Sequence, residues 1–273
     1  MSRPGGLGSA LASWGLTGYA ALGLAYLFLP LGVIVLFSFN EPAGYFNIEW
    51  RRFTLDNWKA PFADRALTEA LGVSLKIAAV STLVSTALGS LMAIALSRYE
   101  PRGARFFELL LVLPLATPEI VLGSALATLF LRHTLLDFGP VTIVIAHVML
   151  QLSFVAVVVR ARVRDFDWTL EQAAWDLGAP PLRTFWMVTF PLILPGILGA
   201  ALLSFAVSID DFIVTFFNAG STVTFPLQVF GASRARIPPQ VHVLATAILL
   251  VSVALLLLGT AVGGRRRHGH VTR

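Results

Sequence analysis

The chain alternates long charge-free apolar runs with short polar stretches rich in arginine. A helix needs about 20 mostly apolar residues to cross a bilayer, and six runs meet that length. They are residues 16–39, 77–97, 109–131, 141–159, 188–217 and 241–262. The third is interrupted only by Glu119, and the fifth only by Asp210 and Asp211. The first run is longer than the apolar part of a secretory signal. It follows a single charge, Arg3, and ends in Ser38-Phe39-Asn40-Glu41-Pro42 rather than in small residues, so it is expected to stay as a helix.

Composition turns this pattern into a class. Charged residues make up 13% of the chain and hydrophobic ones 56%, with a mean hydropathy of +0.79. Soluble domains carry about 25% charged residues, so the surplus apolar surface must face lipid. The net charge of +5 does not point to nucleic acid, because the basic residues sit in clusters between the apolar runs, as membrane orientation signals do. With the N-terminus inside, the inner stretches hold twelve Lys/Arg and the outer ones seven, which places both termini on the cytoplasmic side. The chain has no cysteine, which excludes disulfides and thiolate sites. Its histidines are scattered, and the one close pair, His268 and His270 in the tail, is not read as a metal site. The expected divisions are 1–67 (first helix and outer loop), 68–262 (a five-helix core) and 263–273 (a basic tail).

The stretch between the fourth and fifth runs carries the most information. Thr169 followed by Gln172 fits a capping box, residues 170–177 make about two turns, and Gly178 suits the left-handed position that ends a helix. Pro180-Pro181 then blocks continuation. A short amphipathic connector on the headgroups and a docking element for a soluble partner both fit this pattern. The string Gln172-Ala173-Ala174-Trp175-Asp176-Leu177-Gly178, followed after nine residues by Val188-Thr189-Phe190-Pro191, closely resembles the EAA signature of ABC importer permeases. Gln stands where the signature has Glu, with Glu171 just before it, and Val188 and Phe190 replace Ile and Leu.

The resemblance implies an all-α integral membrane fold with six transmembrane helices, of the type I ABC importer permease class, with a cytoplasmic coupling helix. It implies that Glu171, Gln172, Ala173, Ala174, Asp176 and Gly178 engage a partner ATPase. The Gln for Glu replacement removes a charge from that contact unless Glu171 supplies it.

Polar groups inside the bilayer are costly and default to functional candidates. Glu119 lies in the third run beside Pro114 and Pro118, each of which frees a helical carbonyl. His147 and Gln151 are four apart in the fourth run and share a face. Asp210 and Asp211 stand about 28 Å along a helix from Pro191, at ~1.5 Å per residue, toward the outer leaflet. Successive helical residues point about 100° apart, so both cannot face one path. For Glu119, Asp210, Asp211 and His147, contact with substrate stands beside a structural role as an interhelical hydrogen-bonding group. The outer loop, residues 40–66, holds Trp50, Phe53, Trp58 and Phe62, which suit either interfacial anchoring or bracing of an external binding protein.

Further strings are similar to the spermidine/putrescine branch of the permease family: Pro118-Glu119-Ile120-Val121-Leu122-Gly123, Ala146-His147, residues 158–162, residues 208–212 and Leu244-Ala245-Thr246. Iron, thiamine, sulfate and aminophosphonate permeases share overlapping motifs. The implied machine is a multi-pass protein of the bacterial inner membrane working with an ATPase dimer, a second and normally different permease, and an extracytoplasmic substrate-binding protein. No G-x-x-x-x-G-K-[ST] string occurs, so ATP belongs to the partner, and no cofactor or catalytic site is expected here. An ion-coupled secondary transporter would use Glu119 and Asp210 as ion sites but predicts inverted halves, which the sequence lacks. An intramembrane hydrolase needs a nucleophile–base or metal constellation that His147 alone does not make.

Overall fold

The computed structural model describes residues 7–44, 46–99, 103–133 and 136–265. Arg3, Arg102, His268, His270 and the end of the basic tail lie outside the described residues. Among those residues the fold is all-α, with helices α1 (Leu7–Ser38), α2 (Asp56–Lys59), α3 (Arg65–Arg98), α4 (Ala104–Ala116), α5 (Glu119–His133) and α6 (Pro140–Arg164). They are followed by α7 (Thr169–Asp176), α8 (Pro181–Thr184), a π-helical turn (Phe185–Thr189), α9 (Phe190–Asp210), α10 (Ile213–Asn218), α11 (Phe225–Ala235) and α12 (Pro239–Arg265).

The chain forms two compact units. One comprises residues 1–65 and 232–258, the other residues 66–231 and 259–273. In the first, α1 is apolar on every side and exposed from Trp14 to Pro30, as a lipid-facing helix must be. The following loop is folded. Asn40 Nδ2 donates to Asn47 Oδ1 at 2.7 Å and to the Glu49 carbonyl at 2.7 Å, while its Oδ1 accepts the Arg51 amide at 2.8 Å. Phe39 stacks on Phe53 and on Trp58. Asn47 Nδ2 reaches Nδ1 of His242 on α12 at 3.3 Å, tying loop and helix together.

In the second unit α6 is central. Ala93 of α3, Val155, Val159 and Val163 of α6, and Ile193 and Ala200 of α9 form one buried cluster. Gly89 lets α3 approach α6 closely, since a Cβ there would lie 2.8 Å from Val155 Cβ. Arg160 Nη2 bonds Glu108 Oε1 of α4 at 2.5 Å, holding α4 to α6.

Among the described residues four helices are long and apolar enough to cross a membrane, or five if one bent pair counts as a span. The hydropathy pattern expects six. Two features account for the difference. The third run is not a straight helix: α4 and α5 meet at 108°, because Pro118 lacks an amide proton and holds Thr117 extended at ψ 132°. In α12, which runs from Pro239 to Arg265, only the stretch to Ala254 has described side chains, so it is not counted among those four.

The fifth run also differs at both ends. Its helix starts at Pro181 rather than near residue 188. A π-helical turn, closed by the Phe190 amide on the Phe185 carbonyl, precedes Pro191, which itself offers no amide to the ladder. The helix stops at Asp210, since Asp211 is extended (φ −64°, ψ 117°), and resumes as α10. It therefore does not run unbroken to Phe217.

Candidate functional site

Two groups of polar residues stand out, both in the second unit. On the side of α7, Asp167 organises the helix start. Its Oδ1 accepts the Thr169 amide at 3.0 Å and the Thr169 hydroxyl at 2.7 Å. These bonds, the hydroxyl first, hold the Asp167 carboxyl below its ordinary value. The expected capping box is therefore absent: Thr169 is the first helical residue, its hydroxyl faces back to Asp167, and Trp168 occupies the cap without a side-chain bond. The helix end matches the expectation. Gly178 takes φ +81°, its amide bonds the Trp175 carbonyl at 2.8 Å, and the Ala179 amide bonds the Ala174 carbonyl at 3.0 Å. This paired Schellman closure satisfies the last carbonyls.

On α7, Gln172, Ala173, Asp176 and Gly178 are exposed and Ala174 is half-buried. Leu177 is 89% exposed at the tip. Glu171 points the other way and is 2% exposed. Its Oε2 pairs with Arg98 Nη2 at the end of α3 at 2.8 Å, and its Oε1 accepts the Thr189 hydroxyl in the π-helical turn. The Arg98 guanidinium lies 5.6–5.8 Å from the ring centres of Tyr99, Trp168 and Trp175. Ser97, Arg98, Trp168, Glu171, Gln172 and Trp175 line a hollow of about 300 Å³.

The second group is a buried hydrogen-bonded spine through α3, α6 and α9. Gln151 is its hub. Gln151 Oε1 accepts from Ser85 at 3.1 Å and from Ser204 at 2.8 Å, and its Nε2 donates to Ser81 at 3.3 Å. Ser85 and Ser204 are 3.1 Å apart, as are Ser81 and Ser208. Ser208 meets His147 Nδ1 at 2.8 Å. The other ring nitrogen, Nε2, lies 3.1 Å from Asp211 Oδ2 and 2.9 Å from Thr215 Oγ1. Asp211 Oδ2 also accepts the Thr215 amide and hydroxyl, both at 2.7 Å, and so caps α10.

Of the four intramembrane candidates, His147 and Asp211 are thus brought together and buried. Glu119, the first residue of α5, and Asp210, the last of α9, are exposed and form no hydrogen bond or ion pair among the described residues. The sequence alone assigns no site role to Ser81, Ser85, Ser204, Ser208, Thr215, Arg98 or Thr189. A signal for four of them was present: Ser81/Ser85 and Ser204/Ser208 repeat at the four-residue spacing of His147/Gln151, which puts each pair on one helix face. Among the described residues no cluster of three or more His, Asp or Glu is placed to hold a metal.

Comparisons with known proteins agree with this architecture. Residues 85–267 match the family described as binding-protein-dependent transport system inner membrane component. The putrescine transport system permease protein PotI of Escherichia coli (strain K12) is 35% identical over 235 residues, which is 84% of this chain and 83% of that protein. The spermidine/putrescine transport system permease protein PotC of Haemophilus influenzae is 32% identical over 245 residues, covering 89% and 94%. A chain from the crystal structure of a bacterial ABC transporter involved in the import of the acidic polysaccharide alginate superposes with a TM-score of 0.64 at 16% identity. That match covers 99% of this chain and 100% of that chain, and it speaks for the fold alone.

Proposed function

Because the chain belongs to the family of binding-protein-dependent transport system inner membrane components, the permeases of ABC importers, on its spermidine/putrescine branch, we propose that it forms half of an ATP-driven polyamine pathway. In this reading the bent α4–α5 pair is one span and α12 the last of six, with both termini in the cytoplasm of a bacterial cell. Its partners are a second, different permease, an ATPase dimer and an extracytoplasmic binding protein.

The observation that carries the proposal is α7: a helix with a defined start and stop, whose outer face of Gln172, Ala173, Asp176 and Leu177 is exposed among the described residues. An exposed apolar tip beside small residues suits insertion into a cleft of a soluble subunit. Closure of the ATPase dimer on ATP moves α7, and the spans tilt to open the path outward; hydrolysis resets them. Rigid-body motion of this kind needs a stiff connector, which the Schellman closure supplies.

A polyamine is a flexible polycation, and paired carboxylates replace the hydration it loses. Glu119 and Asp210, exposed and unbonded among the described residues, suit this task. Asp211 and His147 hold the break between α9 and α10 that sets Asp210 at a helix end. The test is ATP-dependent uptake of radiolabelled putrescine and spermidine into proteoliposomes holding the full complex and its binding protein. Uptake of either supports the substrate class. Uptake of iron, thiamine or an aminophosphonate with none of polyamine refutes it and leaves the permease reading standing.

A further inference from the structure

The Glu171 carboxylate is buried, yet it sits on the one short helix proposed to meet the ATPase, with its two oxygens on two different spans. One holds Arg98 at the C-terminal end of α3. The other holds Thr189 in the π-helical turn at the head of α9. The neighbouring signature position, Gln172, faces outward.

We propose that Glu171 is the transmission joint of the permease, a positioning residue that passes displacement of α7 into α3 through Arg98 and into α9 through Thr189. The inference rests on the reading of α7 as the ATPase-docking helix and adds where the motion goes next.

Three physical points support it. First, α7 has no long apolar face to grip the spans: it is eight residues long and Glu171 is its buried residue. A charge-assisted pair and a hydroxyl–carboxylate bond are short and directional, so they transmit a push that sliding apolar contacts would dissipate. Second, the grip is braced. The rings of Tyr99, Trp168 and Trp175 surround the Arg98 guanidinium, which limits its swing. Third, Thr189 lies in a π-helical turn ahead of Pro191. That turn lacks the regular i→i−4 ladder, so it is the compliant point of the span, where a small input displaces the helix above it. Gly196 and Ile193 follow on α9 and pack on α6, carrying the motion toward the spine.

The experiment is hydrogen–deuterium exchange on the assembled complex, with and without ATP plus vanadate, in wild type and in Glu171→Ala, Arg98→Gln and Thr189→Val. This readout does not depend on the identity of the substrate. In wild type the trapped state protects residues 169–178, where the ATPase docks, and alters exchange at residues 90–98 and 185–198. In Glu171→Ala the protection of 169–178 and ATP hydrolysis persist while the response at both distant segments is lost. Thr189→Val loses it at 185–198 alone, and Arg98→Gln at 90–98 alone. These single-link variants keep the other bond and so keep the test open should Glu171→Ala fail to assemble. Unchanged responses at 90–98 and 185–198 in the three variants overturn the joint and leave docking intact. Absence of protection at 169–178 in wild type overturns the docking reading and this inference with it.

Discussion

His147 Nε2 lies 3.1 Å from Asp211 Oδ2 across the gap between α6 and the break that separates α9 from α10. Both side chains are nearly inaccessible, at 3% and 6% exposure, whereas the Asp210 side chain, one residue earlier, is exposed and bonds to no group among the described residues. Two adjacent carboxylates therefore have different tasks, one holding the backbone and one free.

That division predicts opposite phenotypes. Asp210→Asn is expected to lower polyamine uptake by raising KM, with the melting temperature of the purified complex unchanged. Asp211→Ala is expected to destabilise the protein, because it removes the acceptor for Thr215 and for His147 together. Uptake kinetics and thermal unfolding in detergent separate the two, and equal effects on both measurements would refute the division.

His147→Leu is expected to destabilise by about 1–2 kcal/mol rather than the 3–5 typical of a broken buried ion pair. The smaller figure follows because Asp211 keeps both Thr215 bonds. Gln151→Leu likewise strips three bonds, those to Ser81, Ser85 and Ser204, and is expected to cost a similar ~1–2 kcal/mol. Chemical denaturation of the two variants checks both figures.

Gly178 sits at φ +81° with open space around it, so its requirement is conformational and not steric. Gly178→Val is expected to strain the left-handed position by about 1–2 kcal/mol and to abolish uptake while the protein remains in the membrane. Gly178→Asn, which tolerates that conformation, should retain most uptake. Equal loss in both would indicate that the space beyond Gly178, and not its backbone, is what matters.

The Asp167 carboxyl is held below its ordinary value by the Thr169 hydroxyl and amide. A depressed carboxylate stabilises the folded form above the unfolded value of about 3.9, and that contribution is lost as pH falls through the native value. Limited proteolysis of the 164–181 segment should thus be unchanged from pH 8 to pH 5 and accelerate below about pH 4. In Asp167→Ala it should be accelerated throughout.

Much of this was legible in the sequence, for physical reasons that also mark where legibility stopped. Apolar run length located α1, α3 and α6, since a bilayer sets one length for all. Gly178 was legible because a left-handed helix end has few residue choices. The start of the same helix is not legible, because Thr169 and Asp167 compete for one role and only the backbone decides between them. Pro114 and Pro118 announced a disturbed helix without saying how: Pro114 stays inside α4, whereas a 108° bend falls at Pro118. Glu171 could not be told from Gln172 by pattern, since a shift of one residue on a short helix exchanges a buried face for an exposed one. The spine leaves little trace in a hydropathy sum, where serine carries little weight, although its four-residue spacing marks a shared face.

The central claim, that α7 is the surface through which the ATPase drives this permease, is tested most directly by site-specific crosslinking. The chain has no cysteine, so Gln172→Cys introduces a single reactive thiol. In the assembled complex, a short bifunctional reagent is expected to join Gln172→Cys to the ATPase subunit, with a yield that changes on ATP binding. Asp56→Cys on α2 should give no such product. Crosslinking at position 56 and none at 172 would contradict the account.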